Sequence, residues 1–73
     1  MEAITVLERF GKRVREERRA RGWTQESLAV RSELKNLNTV SRIELGYQKT
    51  TIEVADRLAR ALGVPLDRLL GES

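Results

Sequence analysis

The chain is predicted to be an all-α domain, a compact arrangement of five helices. Three observations carry that prediction. Apolar residues recur at three- and four-residue steps, as in Ile4, Leu7, Phe10 and Val14 and again in Ile52, Ala55, Leu58, Ala59 and Leu62. No stretch alternates apolar and polar residues at period two for long enough to make a strand. Helix-start residues (Thr5, Thr24, Asn36, and Thr50 or Thr51) and helix-stop glycines (Gly22, Gly46, Gly63) bracket the periodic segments.

The first helix carries the stripe from Ile4 to Val14. Thr5 and Glu8 have capping-box spacing, and the helix runs to about Ala20 before Gly22. Thr24 caps a second, shorter helix that ends near Arg31 or Ser32, with Leu28 and Ala29 inward. Residues 33–36 form a turn anchored by Leu34. Asn36 is the expected N-cap of a third helix, Leu37 to Leu45, with Val40 and Ile43 toward the core. A polar loop, Tyr47 to Thr50, leads to the fourth helix; Thr50 and Glu53 again have capping-box spacing. Gly63 ends it, and Pro65 stands where a helix takes its first residue, so a last short helix is expected over Leu66 to Leu70.

At 73 residues the chain has room for one domain. Such a domain buries only about 60% of its unfolded surface. With no cysteine and no histidine, disulfide staples are excluded and a structural zinc site is not expected. The absence of cysteine fits a reducing cytoplasm. No apolar run approaches the roughly 20 residues that span a bilayer. Met1 to Leu7 holds Glu2 and no basic run, which argues against a secretory leader. A catalytic reading lacks histidine, cysteine, a phosphate-binding glycine loop and paired carboxylates, and so small a domain leaves little room for a substrate pocket. No cofactor and no small-molecule ligand are expected.

The net charge is +3, but it is unevenly distributed. Arg9, Lys12, Arg13, Arg15, Arg18, Arg19 and Arg21 face only Glu16 and Glu17, so this segment carries +5. Such asymmetry points to a polyanion, although a solvated helix face gives the same pattern. The stretch Thr24 to Gly46 is more specific. It reads as two short helices joined by a turn, and the second has an outward face of small, uncharged, hydrogen-bonding side chains. A face of that kind enters a DNA major groove without demanding salt-bridge partners.

The run Phe10-Gly11, Val14-Arg15, Arg18, Gly22-Trp23-Thr24-Gln25, Leu28-Ala29, Val40-Ser41-Arg42-Ile43-Glu44, Gly46, Ala59 and Ala61-Leu62-Gly63-Val64 resembles the Cro/C1 repressor-type helix-turn-helix family. The resemblance covers about Phe10 to Leu70. It implies a single DNA-binding domain over residues 1–73, with the helix-turn-helix unit at about residues 24–45 and the third helix in the major groove. Carried over residue by residue, the base-reading positions are Leu37, Asn38, Thr39 and Arg42. Gln25 matches a phosphate-contacting glutamine, and Arg18 with Glu44 a structural salt bridge. The chain departs from the family pattern by one extra residue between Leu34 and Val40, which brings Asn36 into the candidate base-reading set. It also has Thr50 where the family usually has proline.

Side-chain chemistry supports these roles. Asn38 can accept from adenine N6 and donate to N7, Thr39 and Leu37 can meet a thymine methyl, and Arg42 reaches a guanine or a phosphate. Gln25 and Thr24 stand at a helix start that favours phosphate. The loop residues Tyr47, Gln48 and Lys49, with Thr51, suit phosphate as well; Tyr47 has an equal reading as an ordinary loop residue. Trp23 reads as packing, and of the basic segment only Arg18 or Arg19 is expected near phosphate.

The expectation is therefore a sequence-specific double-stranded-DNA-binding transcriptional regulator acting as a homodimer on a palindromic operator. Its size resembles that of restriction–modification controller proteins and small phage repressors. Apolar residues near Ile4, Leu7, Val64, Leu66, Leu69 and Leu70 exceed one small core, and Val64, Leu66, Leu69 and Leu70 are the candidate dimer interface. The alternative is a protein-interaction module such as an antitoxin; the Asn/Thr-rich third helix argues against it, since protein hot spots favour Trp, Tyr and Arg. A basic first helix lying on a membrane needs a larger apolar face than Leu7, Phe10 and Val14 supply.

Overall fold

The computed structural model describes residues 5–47 and 49–71. They form five helices: α1 Val6–Ala20, α2 Gln25–Arg31, α3 Thr39–Glu44, α4 Ile52–Leu62 and α5 Leu66–Leu70. No strand occurs among them. Three of the starts are threonine caps. Thr5 Oγ1 accepts from the Glu8 N–H while the Glu8 carboxylate accepts from the Thr5 N–H, a closed capping box. Thr24 Oγ1 accepts from Ser27 N–H at 3.0 Å, and Thr51 Oγ1 from Val54 N–H at 3.1 Å. Each such cap satisfies one orphan amide and contributes about 1 kcal/mol.

The helix ends share a second device. After α2, the Glu33 N–H donates to the Val30 carbonyl and the Leu34 N–H to the Ala29 carbonyl, the paired bonds of a Schellman motif. The motif needs a left-handed residue just past the helix. Gly22 and Gly46 supply it after α1 and α3, but after α2 the residue is Glu33, at φ 59°. Leu34 then turns inward and packs against the core.

The core is Phe10, Val14, Leu28, Ala29, Val40, Ile43, Ala55, Leu58, Ala59, Leu62 and Leu69. α1 packs across α3 and α5, while α2 packs on α3 and α4. The α1–α3 crossing is close because Gly11 has no side chain: a Cβ there would collide with the Ile43 carbonyl. That contact fixes the height of α3 on the body of the domain.

The structure corrects five sequence expectations. α3 begins at Thr39, not Leu37, because Asn36 to Asn38 form a separate tight turn. The N-cap of α4 is Thr51, so the Thr50–Glu53 capping box does not form. Ile52 is 82% exposed although it continues the stripe of α4. It is the first residue of the helix, and side chains lean toward the helix start, so it overhangs its neighbours. Leu69, expected at a dimer interface, is 0% exposed and belongs to the core. Arg18, expected near phosphate, is buried in an ion pair. Ile4 and Gln48 lie outside the described residues.

Candidate nucleic-acid interface

α2 and α3 are held against the domain by their inner faces, Leu28 and Ala29 on one and Val40 and Ile43 on the other. A polar clamp locks the far end of α3. Arg18 Nε donates to Glu44 Oε2 at 2.7 Å and Arg18 Nη2 donates to Glu44 Oε1 at 3.0 Å, a two-pronged pair. Arg18 Nη1 donates to the Trp23 carbonyl at 2.8 Å, and Gln25 Nε2 donates to Glu44 Oε1 at 3.0 Å. Their side chains are only 11% and 3% exposed. The hydrogen bond that Arg18 donates to Glu44 is the largest influence on its guanidinium and raises its pKa against the opposing effect of burial. One carboxylate at the end of α3 thus joins α1, the loop before α2, and the first turn of α2.

At the other end of α3 the side chains point to solvent. Asn36, Leu37 and Asn38 are exposed and Thr39 is half-buried, while Arg42 is exposed in the last turn of the helix. Asn36 Oδ1 accepts from the Asn38 N–H at 2.8 Å, and its carbonyl accepts from the Thr39 N–H at 3.1 Å. Asn38, the N-cap position, makes no side-chain capping bond. The extra residue of this chain is therefore absorbed in a closed turn ahead of α3, and it leaves Leu37 and Asn38 outward.

The expected phosphate residues other than Gln48 lie at the start of α2 and in the segment from the end of α3 to the start of α4. Thr24 is exposed with its oxygen accepting the cap bond, so its hydroxyl proton points elsewhere. Gln25 is half-buried, and one amide hydrogen goes to Glu44, leaving a second hydrogen for an outside acceptor. Tyr47, Lys49 and Thr51 are exposed, and the Tyr47 N–H donates to the Arg42 carbonyl, which ties the loop to the end of α3. Thr51 has the same arrangement as Thr24, its oxygen accepting the cap bond and its hydroxyl proton left over for another acceptor.

The basic segment does something the sequence did not reveal. Arg9 Nε donates to the Leu70 carbonyl at 3.0 Å, and Arg13 Nη1 to the Arg68 carbonyl at 3.5 Å, both at the end of α5. Arg21 Nη2 donates to the Leu62 carbonyl at the end of α4, at 2.6 Å. Cations satisfy helix C-terminal carbonyls and complement the dipole there. These arginines fasten α1 to the ends of other helices. The available signal was the ends of α4 and α5, whose last carbonyls need donors, but the pairing is set only by the fold. Arg31 lies over the Trp23 ring, 4.1 Å from its centroid, so Trp23 both packs on the core and carries a cation.

Among the described residues no helix is long and apolar enough to cross a membrane. The helix-turn-helix family profile matches residues 14–69. Among solved structures the chain is similar to the restriction–modification controller protein C.AhdI from Aeromonas hydrophila, with 37% identity and a TM-score of 0.81 over 89% of this chain and 96% of that one. It is also similar to the clp gene regulator ClgR from C. glutamicum, with 25% identity and a TM-score of 0.84 over 93% and 87% of the two chains. A third likeness is to the restriction–modification controller protein C.Esp1396I, with 25% identity and a TM-score of 0.81 over 93% and 90%. No curated protein matches the chain.

Proposed function

The chain belongs to the helix-turn-helix family, and from that premise we propose that it is a sequence-specific, cytoplasmic transcriptional regulator that binds a roughly palindromic operator as a homodimer. The observation that carries this reading is the contrast between the two ends of α3. One end is immobilised by Arg18, Glu44 and Gln25; the other presents exposed Leu37 and Asn38, and Arg42 is exposed in the last turn. A rigidly held helix with an uncommitted amide at its leading end suits reading of base edges in the major groove. Asn38, Leu37, Thr39 and Arg42 are the proposed base-reading side chains. Thr24, Gln25, Tyr47, Gln48, Lys49 and Thr51 are the proposed phosphate contacts on either side.

The similarity to C.AhdI favours the controller class of regulator. Family and structural likeness together favour DNA binding over a protein-interaction module such as an antitoxin. No catalytic step enters the reading.

One domain spans a half-site only, and two recognition helices about 34 Å apart are needed to engage successive grooves. The second copy has a candidate face. Val6, Ile52 and Leu70 are exposed around an apolar groove of about 120 Å³ that also involves Leu7, Phe10 and Leu66. Val64 and Leu66 are half-buried against the core, so of the residues expected from sequence Leu70 contributes most.

Selection from a random duplex library tests the whole reading. The expected product is a palindromic site, bound far more tightly than a scrambled duplex at moderate salt. Equal affinity for the two duplexes overturns it.

A further inference from the structure

Asn36 stands next to the proposed base-reading residues, is exposed, and carries an amide that fits an adenine edge. We propose that it does not read a base, and that it is the positioning residue which sets how Leu37 and Asn38 approach the groove. This rests on the base-reading role proposed above and assigns the labour within it.

Two hydrogen bonds carry the inference. Asn36 Oδ1 accepts from the Asn38 N–H at 2.8 Å, and the Asn36 carbonyl accepts from the Thr39 N–H at 3.1 Å. Because a backbone N–H can only donate, the group facing Asn38 is the amide oxygen. The side chain of one residue thus closes the inside of the turn while its backbone closes the outside. The first helical bond of α3, from the Arg42 N–H to the Asn38 carbonyl, follows directly. Asn38 sits at φ −82° and ψ −6° and makes no capping bond of its own, so the bond that braces its backbone is the one to Asn36, two residues earlier.

An asparagine that reads adenine must turn its amide into the plane of the base pair, with oxygen toward N6 and nitrogen toward N7. Asn36 Oδ1 is already engaged by the Asn38 N–H, and swinging the amide into a base-pair plane pulls that oxygen away from the turn that braces Asn38. Asn38 has no such commitment. The extra residue in this chain therefore supplies a brace under the reading side chains, and the number of bases read does not increase.

The inference separates acceptor from donor, and so do the variants that test it. Asn36→Ser keeps an oxygen for the Asn38 N–H but loses the amide donor that base reading needs; Asn36→Asp keeps the oxygen and adds a negative charge; Asn36→Ala removes the oxygen. Each full-length variant, with Asn38→Ala and the Asn36→Ala/Asn38→Ala double, is put through the duplex selection that defines the wild-type site. Asn36→Ser is expected to keep the wild-type preference at every position. Asn36→Asp is expected to keep the same preferences with weaker binding to all sequences alike, from repulsion by phosphates. Asn36→Ala is expected to lose preference by about tenfold, the scale of one side-chain–base contact, at the same base pairs that Asn38→Ala blurs. The double variant should then lose little more than Asn38→Ala alone. Amide exchange at Asn38 should accelerate in Asn36→Ala and return to the wild-type rate in Asn36→Ser. Loss of preference in Asn36→Ser at a base pair that Asn38→Ala leaves intact overturns the proposal, because Asn36 would then be a reader. A wild-type protein that selects no sequence at all overturns the base-reading role itself, a different result from the first.

Discussion

Truncating Arg18 to alanine leaves the Glu44 carboxylate buried with the Gln25 amide as its remaining donor. Uncompensated buried charge is among the few single changes that cost about 3–5 kcal/mol. A domain of this size has total stability of the same order, about 4–11 kcal/mol. Arg18→Ala should therefore remove a large share of that stability and lower the urea midpoint sharply, and Arg18→Met/Glu44→Leu should recover most of the loss by leaving no charge behind. A single-variant cost below about 1 kcal/mol would show that the pair behaves as a solvated one. Glu17 makes a gentler case. Arg21 Nη1 donates to Glu17 Oε1 at 2.9 Å and Arg68 Nε to Oε2 at 3.2 Å, joining α1 to α5. The hydrogen bond from Arg21 leads in holding the Glu17 pKa below its ordinary 4.5, with Arg68 adding to it against partial burial. A carboxylate whose folded pKa is depressed stabilises the fold above its unfolded pKa, and that stability is lost as pH falls through the folded value. The stability gap between wild type and Glu17→Gln should thus be full at neutral pH and close as the pH drops below about 4. A gap that stayed constant down to acid pH would mean the ion pairs contribute nothing.

The turn between α2 and α3 is built like the ends of α1 and α3 except for one residue. Glu33 occupies the left-handed position at φ 59° that glycine holds elsewhere, and a side chain there costs about 1–2 kcal/mol. Glu33→Gly should raise stability by about 1 kcal/mol, less the entropy glycine adds to the unfolded chain, as read from thermal unfolding. A destabilised variant would show that the Glu33 side chain makes a contact worth more than the strain. Gly11 is the converse. Glycine in mid-helix is normally unfavourable, yet here a Cβ would strike the Ile43 carbonyl, so Gly11→Ala should destabilise by about 1–3 kcal/mol although alanine is the better helix former. Such cases mark what a sequence conveys and what it does not. Five helices, the threonine caps at Thr5 and Thr24, and the pairing of Arg18 with Glu44 follow from local spacing and family pattern. The start of α3 did not, because Asn36 satisfies a capping rule equally well as the head of a helix or of a tight turn. Ile52 and Leu69 exchanged expected places because helical period does not say which end of a helix overhangs its neighbours. The arginine bonds to the ends of α4 and α5 span 41 and more residues in sequence and have no local signature.

At the scale of the molecule, one copy presents one helix-turn-helix unit, α2 with α3, so it addresses one half of an operator whose halves lie about 34 Å apart. The homodimer proposed above, joined through the groove edged by Val6, Ile52 and Leu70, would convert two weak half-site contacts into one strong binding event. The consequence is measurable in salt. Each phosphate neutralised releases counterions, and log K falls with log salt at a slope of about −0.9 per phosphate on duplex DNA. A dimer makes twice the phosphate contacts of a monomer, so breaking the dimer should halve the slope as well as lower the affinity. Leu70→Glu and Ile52→Glu place a charge on exposed positions of the proposed face and should alter folding by no more than about 0.5 kcal/mol. Ile52 lies beside the proposed phosphate loop, where an added carboxylate repels DNA directly, whereas Leu70 is on α5 at the other edge of the groove. Agreement between the two variants therefore isolates the effect of dimerisation. Sedimentation should show a wild-type dimer and two monomeric variants, and titration across a salt series should give each variant about half the wild-type slope. If either variant sediments as a dimer with an unchanged slope, the second copy binds elsewhere on the domain.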